Sequence, residues 1–506
     1  MRYVGYHEYF HDANLAIIDE DGTLVYASAS ERYSGKKYDA IMYPNMWKHI
    51  RDNDHVQFAF QSRPNDLNQI LFDFTNFDSL SPRMESIQVI PSHLQYDDWN
   101  YHHLSHSENG MSTRPWTSTD DTVIVTNDGC GEIESVTIRD RDMNVVKQTL
   151  WPTSLCHIYH LVTIGLGYGF GEEYIIMGLA AYGEPNQKYI DYLRNMLYYF
   201  ETEEGREVSG TLYNDGGVPV WKDSKTVYAC RDYLKAKCQL WAERQLYNGE
   251  KPENIAASLQ KFFEEETMEL MREARKYGSK LVYGGGGAQN VVANSLIYEL
   301  FDEVHIPTAP HDGGNGLGAA AHAWKTHTGG THIKWSPYSG HNIERDLDPK
   351  EVARYLVDNK VCGVANGKAE YGPRALGNRS LIADVRYDVK DTVNDIKRRQ
   401  RFRPFAPAIL SEFADDYFDG PMSEYMQYAA KAKHDYDSVT HVDGTARVQL
   451  VKPDCESKIR QILEEYYELT GVPMILNTSL NIRNKPMVNT IEDAIEWEQK
   501  YNVRVF

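Results

Sequence analysis

Three histidines lie within five residues in the segment YHHLSHSENG, residues 101 to 110, of a chain with only 18 histidines in 506 residues. On a helix of about 3.6 residues per turn, His102 and His106 are one turn apart and project from the same face, whereas His103 points away. This spacing is that of a two-histidine metal clamp. The alternative is a polar helix face that happens to carry imidazoles, because a metal site also needs ligands from elsewhere in the chain.

A run of glycines is the second segment that could bind a ligand. In KLVYGGGGAQN a predicted strand is followed by four glycines from Gly284 and then by a predicted helix. Glycines let the backbone approach a ligand closely and leave amides free at the start of the next helix. The run lacks the Lys-Ser/Thr ending of a P-loop and so indicates a different nucleotide grip. A glycine-rich turn without any ligand is the alternative.

Cationic segments recur in the last third of the chain, in YGPRALGNRS, IKRRQRFRPFAP and HVDGTARVQL. A charge run is usually a solvated face. Here the arginines alternate with Gly, Pro, Phe and Ala, which makes a poor surface helix. The pattern favours a pocket wall for phosphate, since planar guanidinium groups form paired hydrogen bonds with its oxygens.

The elements that would position these residues follow a repeated pattern. The first 30 residues predict a short strand, a polar turn, a strand at Leu15 to Ile18, a hairpin turn at Asp21-Gly22 and a strand from Leu24. Strand, acidic Gly-rich turn and strand return from Thr122. Such a duplication is typical of an actin/hexokinase-like α/β fold, in which turns from the two halves grip a nucleotide. Residues 251 to 277 predict a long amphipathic helix, and 327 to 348 suit an interdomain connection.

Composition narrows the class of protein. Hydrophobic residues make up 42% and charged residues 25%, as in ordinary globular proteins. No basic start precedes an apolar run and no 18 apolar residues follow one another, so we expect a cytoplasmic protein without a membrane segment. The six cysteines contain no CxxC pair and predict neither a disulfide framework nor zinc on cysteine. A net charge of −20 disfavours intact DNA as a partner.

The motifs, taken together and in order, resemble the NodU/CmcH O-carbamoyltransferase family. They are FHDANLAI, YHHLSH, NDGCGE, MGLAAYGEP, GGGGAQN, APHDGGNGLGAA, EYGPRALGNRS, FRPFAP, HVDGTARVQ and NTSLN. The resemblance implies an actin/hexokinase-like domain over residues 1–340, similar to the tRNA threonylcarbamoyltransferase. It also implies a smaller YrdC-like α/β domain over residues 341–506.

The same resemblance implies a reaction in two steps. The C-terminal domain would make carbamoyl-adenylate from carbamoyl phosphate and ATP with magnesium, and the N-terminal domain would pass the carbamoyl group to a hydroxyl of a small-molecule acceptor. Family acceptors include antibiotic sugars and, in some viral members, a hydroxymethylated pyrimidine, so a nucleoside or nucleotide stays open. The 35 tyrosines supply many surfaces able to stack on a ring without choosing among acceptors.

The resemblance also implies which residues bind the metal ion and which one acts as the general base. The ligands are His102, His106, Asp128 and Asp312, a donor set that suits Fe(II), zinc or manganese better than calcium or magnesium. His103 is expected to be structural. His11 matches the proposed base for the acceptor hydroxyl; the alternative is that it only hydrogen-bonds the acceptor or closes its turn.

The resemblance also implies which residues bind anions. Those for carbamoyl phosphate and the ATP phosphates are Arg374, Lys397, Arg403, Arg447 and Ser479, with Arg379, Arg399, His441 and Asn477 as further candidates. The nucleotide-binding positions of the N-terminal domain are Gly129, Gly285, Gly286 and Asn290. One departure stands out, because Ile175 occupies the position of a lysine that family members commonly have before MGLA.

Two other functions are compatible with the predicted fold. An actin-like sugar kinase would use the duplicated turns for direct phosphoryl transfer and would release ADP rather than AMP, but it leaves the HxxxH clamp and the arginine motifs unexplained. A catalytically silent regulatory protein could keep the same fold. The intact histidine, aspartate and arginine set argues against loss of activity.

Overall fold

The computed structural model describes residues 1–8, 11–51, 53–60, 96–131, 134–209, 211–213, 219–221, 224–434 and 436–506. The strands of the N-terminal part are β1 Arg2–His7, β2 Asn14–Asp19, β3 Leu24–Ala29, β4 His55–Phe60, β5 Tyr96–Tyr101, β6 Thr122–Asn127, β7 Glu134–Arg139, β8 Val145–Leu150, β9 Thr211–Tyr213, β10 Pro219–Trp221, β11 Lys280–Gly284 and β12 Glu303–His305.

Two five-stranded sheets repeat one topology, which confirms the predicted duplication. The first sheet has the order β3-β2-β1-β4-β5 and the second β8-β7-β6-β11-β12. In each, three consecutive strands are antiparallel, a fourth strand joins the first of them in parallel, and a fifth joins the fourth in parallel. This is the duplicated α/β architecture expected of the actin/hexokinase-like class, with equivalent strands β1 and β6 at the centre of each half.

The helices of the same part are α1 Glu31–Ser34, α2 Pro44–Trp47, α3 His102–Thr113, α4 Leu155–Gly165, α5 Glu173–Ala180, α6 Gln187–Tyr198, α7 Glu203–Ser209, α8 Ser224–Leu234, α9 Leu240–Tyr247, α10 Pro252–Ala274, α11 Val291–Ile297 and α12 Asn315–Thr328. Helix α10 is the long amphipathic helix predicted over 251 to 277; it buries its apolar side against α5, α6 and α11.

Close packing of α12 explains the small residues in its sequence, NGLGAAA. The helix lies against β1 and α3. A Cβ atom at Gly316 would overlap the side chain of Asn14, and one at Gly318 would overlap the backbone of Ser105. Gly5 on β1 is equally constrained by the backbone of α12. Small residues therefore bring the start of α12 next to the histidines of α3.

The C-terminal part is also α/β. Its strands are β13 Tyr338–Ile343, β14 Val361–Ala365, β15 Gly367–Glu370, β16 Arg379–Ala383, β17 Ala406–Leu410, β18 Phe418–Asp419, β19 Ala430–Ala432, β20 Thr445–Ala446, β21 Gln449–Val451 and β22 Met474–Ser479. Its helices are α13 Pro349–Asn359, α14 Lys390–Ile396, α15 Ala414–Tyr417, α16 Ile459–Thr470 and α17 Ile491–Tyr501. A mixed sheet of order β14-β16-β22-β17-β21 forms its centre, and α13 packs against α16.

The connection predicted over 327 to 348 contains a strand. Within it, β13 pairs antiparallel with β15, and Tyr338 and Ile343 are buried. These two residues are five positions apart along the chain and the register shifts between them, so no regular alternation marks the strand in the sequence. The domain boundary between residues 340 and 341 stays a prediction.

Two expectations from composition can be compared with the described residues. No helix among them is both long and apolar enough to cross a bilayer. All six cysteines, Cys130, Cys156, Cys230, Cys238, Cys362 and Cys455, are free thiols, in line with the absence of CxxC pairs.

Candidate active site

Three separate segments bring two histidines and two aspartates to one point. Helix α3 begins at His102, directly after β5, so its first turn carries His102 and His106 on one buried side, as the spacing predicts. Asp128 follows the last residue of β6. Asp312 begins the 3₁₀ turn Asp312–Gly314 that leads into α12. The four residues that the resemblance implies as ligands therefore converge.

Their distances define a compact cluster. Nε2 of His102 and Nε2 of His106 each lie 3.0 Å from Oδ2 of Asp128 and 3.3 Å from Oδ1 of Asp312. The two Nε2 atoms are 3.1 Å apart. The four candidate ligand atoms all lie within 4.8 Å of one another. We call these four residues the His/Asp cluster.

The donor set fits a transition-metal ion. Nitrogen and oxygen ligands that share one ion at about 2.1 Å lie about 3.0 to 3.4 Å from each other, and the observed separations fall in this range. Two imidazoles with two carboxylates suit iron, zinc or manganese. His103, by contrast, points its Nδ1 to the hydroxyl of Thr137 at 3.3 Å and lies outside the cluster.

Backbone amides hold Asp128 in place. Its Oδ1 accepts hydrogen bonds from the amide of Gly129 at 2.7 Å and from the amide of Gly286 at 3.2 Å. The side-chain amide of Asn315 lies 3.3 Å from Nδ1 of another cluster residue, His102. Two of the glycines predicted to grip a nucleotide thus orient a carboxylate of the His/Asp cluster.

The other two residues predicted to bind a nucleotide, Gly285 and Asn290, form hydrogen bonds within and next to the glycine turn. The amide of Gly285, which has a positive φ of 90°, donates to the carbonyl of Pro310 at 2.7 Å. The side chain of Asn290 caps α11 by accepting from the amide of Ala293 at 3.1 Å, and it also pairs with Gln260. Their role in nucleotide binding stays a prediction.

His11 lies beside the cluster. Its Nδ1 is 2.8 Å from Oδ2 of Asp12, and its Nε2 is 3.4 Å from Oδ2 of Asp312. Burial lowers the pKa of His11, but the facing carboxylates of Asp312 and Asp12 outweigh it and raise the pKa to about 9. The ring is thus held between two carboxylates, with one edge turned to the His/Asp cluster.

His7 is a neighbour that the sequence analysis missed. Its Nε2 is 3.7 Å from Oδ2 of Asp312, and its Nδ1 lies 3.0 Å from the carbonyl of Ala59. Burial lowers its pKa to about 4, so the ring is neutral at neutral pH. The sequence did contain a signal for His7, because His7 and His11 repeat the HxxxH spacing. Here, however, His7 is the last residue of β1 and His11 lies beyond the strand.

The predicted anion-binding side chains also meet, each from a different segment. Arg374 follows β15, Lys397 follows α14, Arg403 precedes β17, Arg447 precedes β21 and Ser479 ends β22. The ammonium of Lys397 donates to the backbone carbonyl of Ser479, to its hydroxyl at 3.2 Å and to Oδ1 of Asn481 at 2.8 Å. Ser479 is therefore fixed directly beside a cation.

Five cationic side chains crowd this region of the cavity wall. Within the described ranges, no carboxylate forms an ion pair with the residues that we call the cation group, which are Arg374, Lys397, Arg399, Arg403 and Arg447. Burial and the neighbouring arginines hold the pKa of Arg447 and of Lys397 well below their ordinary values. Burial likewise lowers the pKa of Arg374 to about 10. Such an array is stabilised by a bound polyanion.

The four further candidates for anion binding have different surroundings in the structure. Arg399 belongs to the cation group and stacks on Phe405 with its guanidinium 4.1 Å from the ring centre. Arg379 is fully buried and donates to backbone carbonyls, including that of His341 at 2.9 Å, so it braces the fold. Asn477 donates to the carbonyl of Ala375 and to Gln449. His441 donates from Nε2 to the carbonyl of Gly178 at 2.9 Å, across the two parts of the chain.

One cavity of about 510 Å³ joins both groups. Its walls include His11, Asp128 and Asp312 at one end and the whole cation group at the other. Helix α5 and the residue before it connect the two parts along this cavity: Glu172 pairs with Arg483 at 3.0 Å, and the guanidinium of Arg403 lies 4.7 Å from the ring centre of Tyr174. A small molecule formed beside the cations can reach His11 within the cavity.

The departure at Ile175 has a clear local setting. Ile175 lies in α5 with 1% of its surface exposed and lines the cavity, where a lysine would add a charge. Glu173, two residues earlier, instead pairs with His160, whose Nδ1 is 2.6 Å from Oε1. The sequence analysis missed His160; an isolated histidine on a predicted helix gives no signal of such a partner.

Comparison with known proteins identifies relatives over both parts of the chain. The nodulation protein NolNO of Sinorhizobium fredii is 29% identical over 81% of this chain and 62% of its own length. The nodulation protein NolO of Bradyrhizobium diazoefficiens is 31% identical over 67% of this chain and 65% of its own length. The chain thus spans less than two thirds of the length of these curated relatives.

Among solved structures, the activator of the 2-hydroxyisocaproyl-CoA dehydratase from Clostridium difficile aligns over 66% of this chain and 100% of its own. The identity is 12% and the TM-score 0.34, which carries no argument about function.

Two family models match consecutive segments. The model described as carbamoyltransferase N-terminus matches residues 91–321, and that described as carbamoyltransferase C-terminus matches residues 353–506. The first contains the whole His/Asp cluster and the second contains the whole cation group. Since both halves of one family match in order and together span most of the chain, the protein belongs to the carbamoyltransferase family.

Proposed function

We propose that the protein is an ATP-dependent O-carbamoyltransferase that acts on a hydroxyl of a small molecule. The observation that carries the proposal is the single cavity shared by the unpaired cation group and by His11 with the His/Asp cluster. Overall, carbamoyl phosphate, ATP and water would give carbamoyl-adenylate, phosphate and pyrophosphate. Transfer to the acceptor hydroxyl would then leave AMP.

The cation group would bind the phosphate groups in the first step, the formation of carbamoyl-adenylate. Its five side chains spread positive charge over one wall, which is what the phosphate groups of carbamoyl phosphate and ATP require. Arg374 and Arg447 have no carboxylate partner among the described residues, so their guanidinium groups are available for paired hydrogen bonds to phosphate oxygens. Lys397, held by Ser479 and Asn481, adds a fixed point charge.

His11 would act in the second step as the base for the acceptor hydroxyl. Asp12 holds Nδ1, which leaves Nε2 as the nitrogen that takes the proton. The charge of Asp312 raises the pKa of His11 in the protein alone, and a cation that shares this charge would lower that pKa toward neutrality. His102, His106, Asp128 and Asp312 would hold an iron, zinc or manganese ion, which supplies a Lewis acid for phosphate and carbonyl oxygens.

The acceptor remains the open part of the proposal. We propose a hydroxyl on an antibiotic sugar or on a hydroxymethylated pyrimidine nucleotide. Both are of a size to enter a cavity of about 510 Å³, unlike duplex DNA.

The test uses the full chain with ATP, labelled carbamoyl phosphate and a panel of hydroxylated acceptors. We expect release of pyrophosphate and AMP, and a labelled carbamate on one acceptor. Formation of ADP with a phosphorylated acceptor would instead favour a sugar kinase. Neither pyrophosphate nor ADP, in protein with bound ligands, would indicate a catalytically silent binding protein.

A further inference from the structure

A histidine–glutamate pair in the cavity wall has no role in the chemistry described above. Nδ1 of His160, on α4, lies 2.6 Å from Oε1 of Glu173, on α5. The two side chains keep 20% and 32% of their surface exposed, and both line the cavity. They belong neither to the His/Asp cluster nor to the cation group.

The pair leaves one ring nitrogen available. Glu173 stands in the first turn of α5, where the helix dipole favours a carboxylate. An ionised carboxylate only accepts hydrogen bonds, so Nδ1 of His160 carries the proton of this bond; in that tautomer Nε2 is a hydrogen-bond acceptor. Among the described residues, Nε2 has no hydrogen-bond partner.

An aromatic wall links this nitrogen to the reactive end of the cavity. The ring of Phe170 lies 5.0 Å from the ring of His11 and 5.5 Å from the ring of His160. Tyr38 meets Phe170 edge-on at 5.5 Å. Phe170 thus stands between the proposed base and the pair, and a flat molecule on this wall would reach both histidines.

No other cation competes for Glu173. His160 is its only ion-pair partner within the described ranges, and Ile175 stands where the resemblance leads one to expect a lysine. The neutral side chain at 175 therefore leaves the orientation of His160 to Glu173 alone. A polar group that lacks a protein partner at a cavity wall favours ligands that can complete its hydrogen bond.

We propose that His160, oriented by Glu173, is a specificity-determining residue for the carbamoyl acceptor. The acceptor class is a ring-bearing hydroxyl compound that stacks on Phe170, directs its hydroxyl to His11 and donates an N–H or O–H from the neighbouring ring position to Nε2 of His160. This inference rests on the proposed carbamoyl transfer and adds the acceptor's chemical class to it.

The experiment uses two probes, the 5-hydroxymethyl derivatives of dCMP and dUMP, which differ at C4 and at the adjacent N3 of the ring. They share the hydroxymethyl group, but cytosine has an amino donor where uracil has a carbonyl acceptor. In the parent protein we expect kcat/KM to favour the cytosine probe by about 10- to 100-fold. His160→Ala should bring the two within about threefold, mainly by raising KM for the cytosine probe.

Supporting variants separate recognition from folding. His160→Gln, which keeps an acceptor atom, should restore part of the preference, and Glu173→Gln should lower it without abolishing it. Pyrophosphate release from ATP and carbamoyl phosphate should stay within about twofold of the parent, because the cation group runs that step. The control is His434→Asn, an exposed histidine outside the cavity, whose preference should match the parent.

Each contrary result has its own meaning. An unchanged preference in His160→Ala overturns the assigned role, and equal loss of pyrophosphate release and transfer makes His160 structural. Pyrophosphate release with transfer to neither probe contradicts the acceptor class. A parent protein that releases no pyrophosphate overturns the proposed function itself.

Discussion

The two ends of the cavity balance charge in opposite ways. In the His/Asp cluster, imidazoles and carboxylates face each other at 3.0 to 3.3 Å, so protein groups already offset much of one another's charge. In the cation group, five positive side chains share a wall without an ion pair among the described residues. Desolvated like charges are costly unless they are paired. We therefore expect one small cation to complete the first site and a polyanionic substrate to complete the second.

The largest expected effect is on metal content. Replacing both His102 and His106 by alanine removes half of the donor set, and the remaining carboxylates alone do not select a transition metal. We expect elemental analysis to find about one iron, zinc or manganese per parent chain and background levels in the variant. His103→Ala, which removes a ring whose Nδ1 faces the hydroxyl of Thr137 rather than the cluster, is the matched control. Unchanged stoichiometry in the double variant would remove the cluster from consideration as a metal site.

The next prediction separates His11 from the cation group. His11→Asn keeps some hydrogen bonding but removes the proton acceptor, so carbamoyl transfer should fall by about 10²- to 10⁴-fold. Pyrophosphate release should persist, because no residue of the cation group changes. Rates are compared in preparations with equal metal occupancy, since His11 contacts Asp312. Transfer within a few-fold of the parent would make His11 structural, and equal loss of both activities would place it in the first step.

Arg447→Ala tests the other end of the cavity. Loss of a charge-assisted contact to phosphate costs on the order of 2 to 5 kcal/mol, so pyrophosphate release should fall by about 30- to 4,000-fold. Metal content should stay unchanged, which distinguishes this variant from the histidine double variant. Arg447→Lys keeps the charge without the planar fork and should lie between the two. Normal release in Arg447→Ala would contradict the phosphate-pocket interpretation.

A smaller effect concerns the support of the cluster. The side-chain amide of Asn315 lies 3.3 Å from Nδ1 of His102 and fixes the orientation of that ring. Asn315→Leu keeps the size but removes the hydrogen bond, so metal affinity should fall by about 10- to 100-fold. Competition with a chelator measures the change, and exposed Asn359→Leu serves as the control. An unchanged affinity would show that close packing around α12, rather than this contact, orients His102.

The two sites differ in how far the sequence predicts them. The helical spacing of His102 and His106 is local, so the clamp could be inferred from the residues alone, and α3 buries both side chains. Asp128 and Asp312 came only through the family resemblance, because the chain path that joins them depends on the duplicated sheets. Those sheets were predictable from the repeated strand-turn-strand pattern, while β13 was hidden by its irregular register.

Tertiary packing decided the roles of several other residues. Arg379 carries the same side chain as Arg374 and lies in the same motif, yet it is buried among backbone carbonyls instead of lining the cavity. Gly286 orients Asp128 through its amide, a role that its residue type does not reveal. The pairing of His160 with Glu173 likewise depends on how α4 and α5 pack. Sequence motifs identify which residues are special, and the contacts determine what each one does.

The smallest expected effect is a fraction of one proton, and it follows directly from the unbalanced charge of the cation group. Burial, together with Arg399 and Arg403, holds the pKa of Lys397 well below its ordinary value in the protein alone. A bound phosphate favours the charged ammonium and raises that pKa again. A group whose pKa is higher in the complex takes up a proton on binding, so affinity for carbamoyl phosphate should fall as pH rises. Calorimetry in buffers of different ionisation enthalpy, at about pH 7 to 9, should measure uptake of less than one proton per site, and Lys397→Arg should reduce it. Proton release on binding, or affinity that rises with pH, would mean that the anion neutralises charges elsewhere in the cavity.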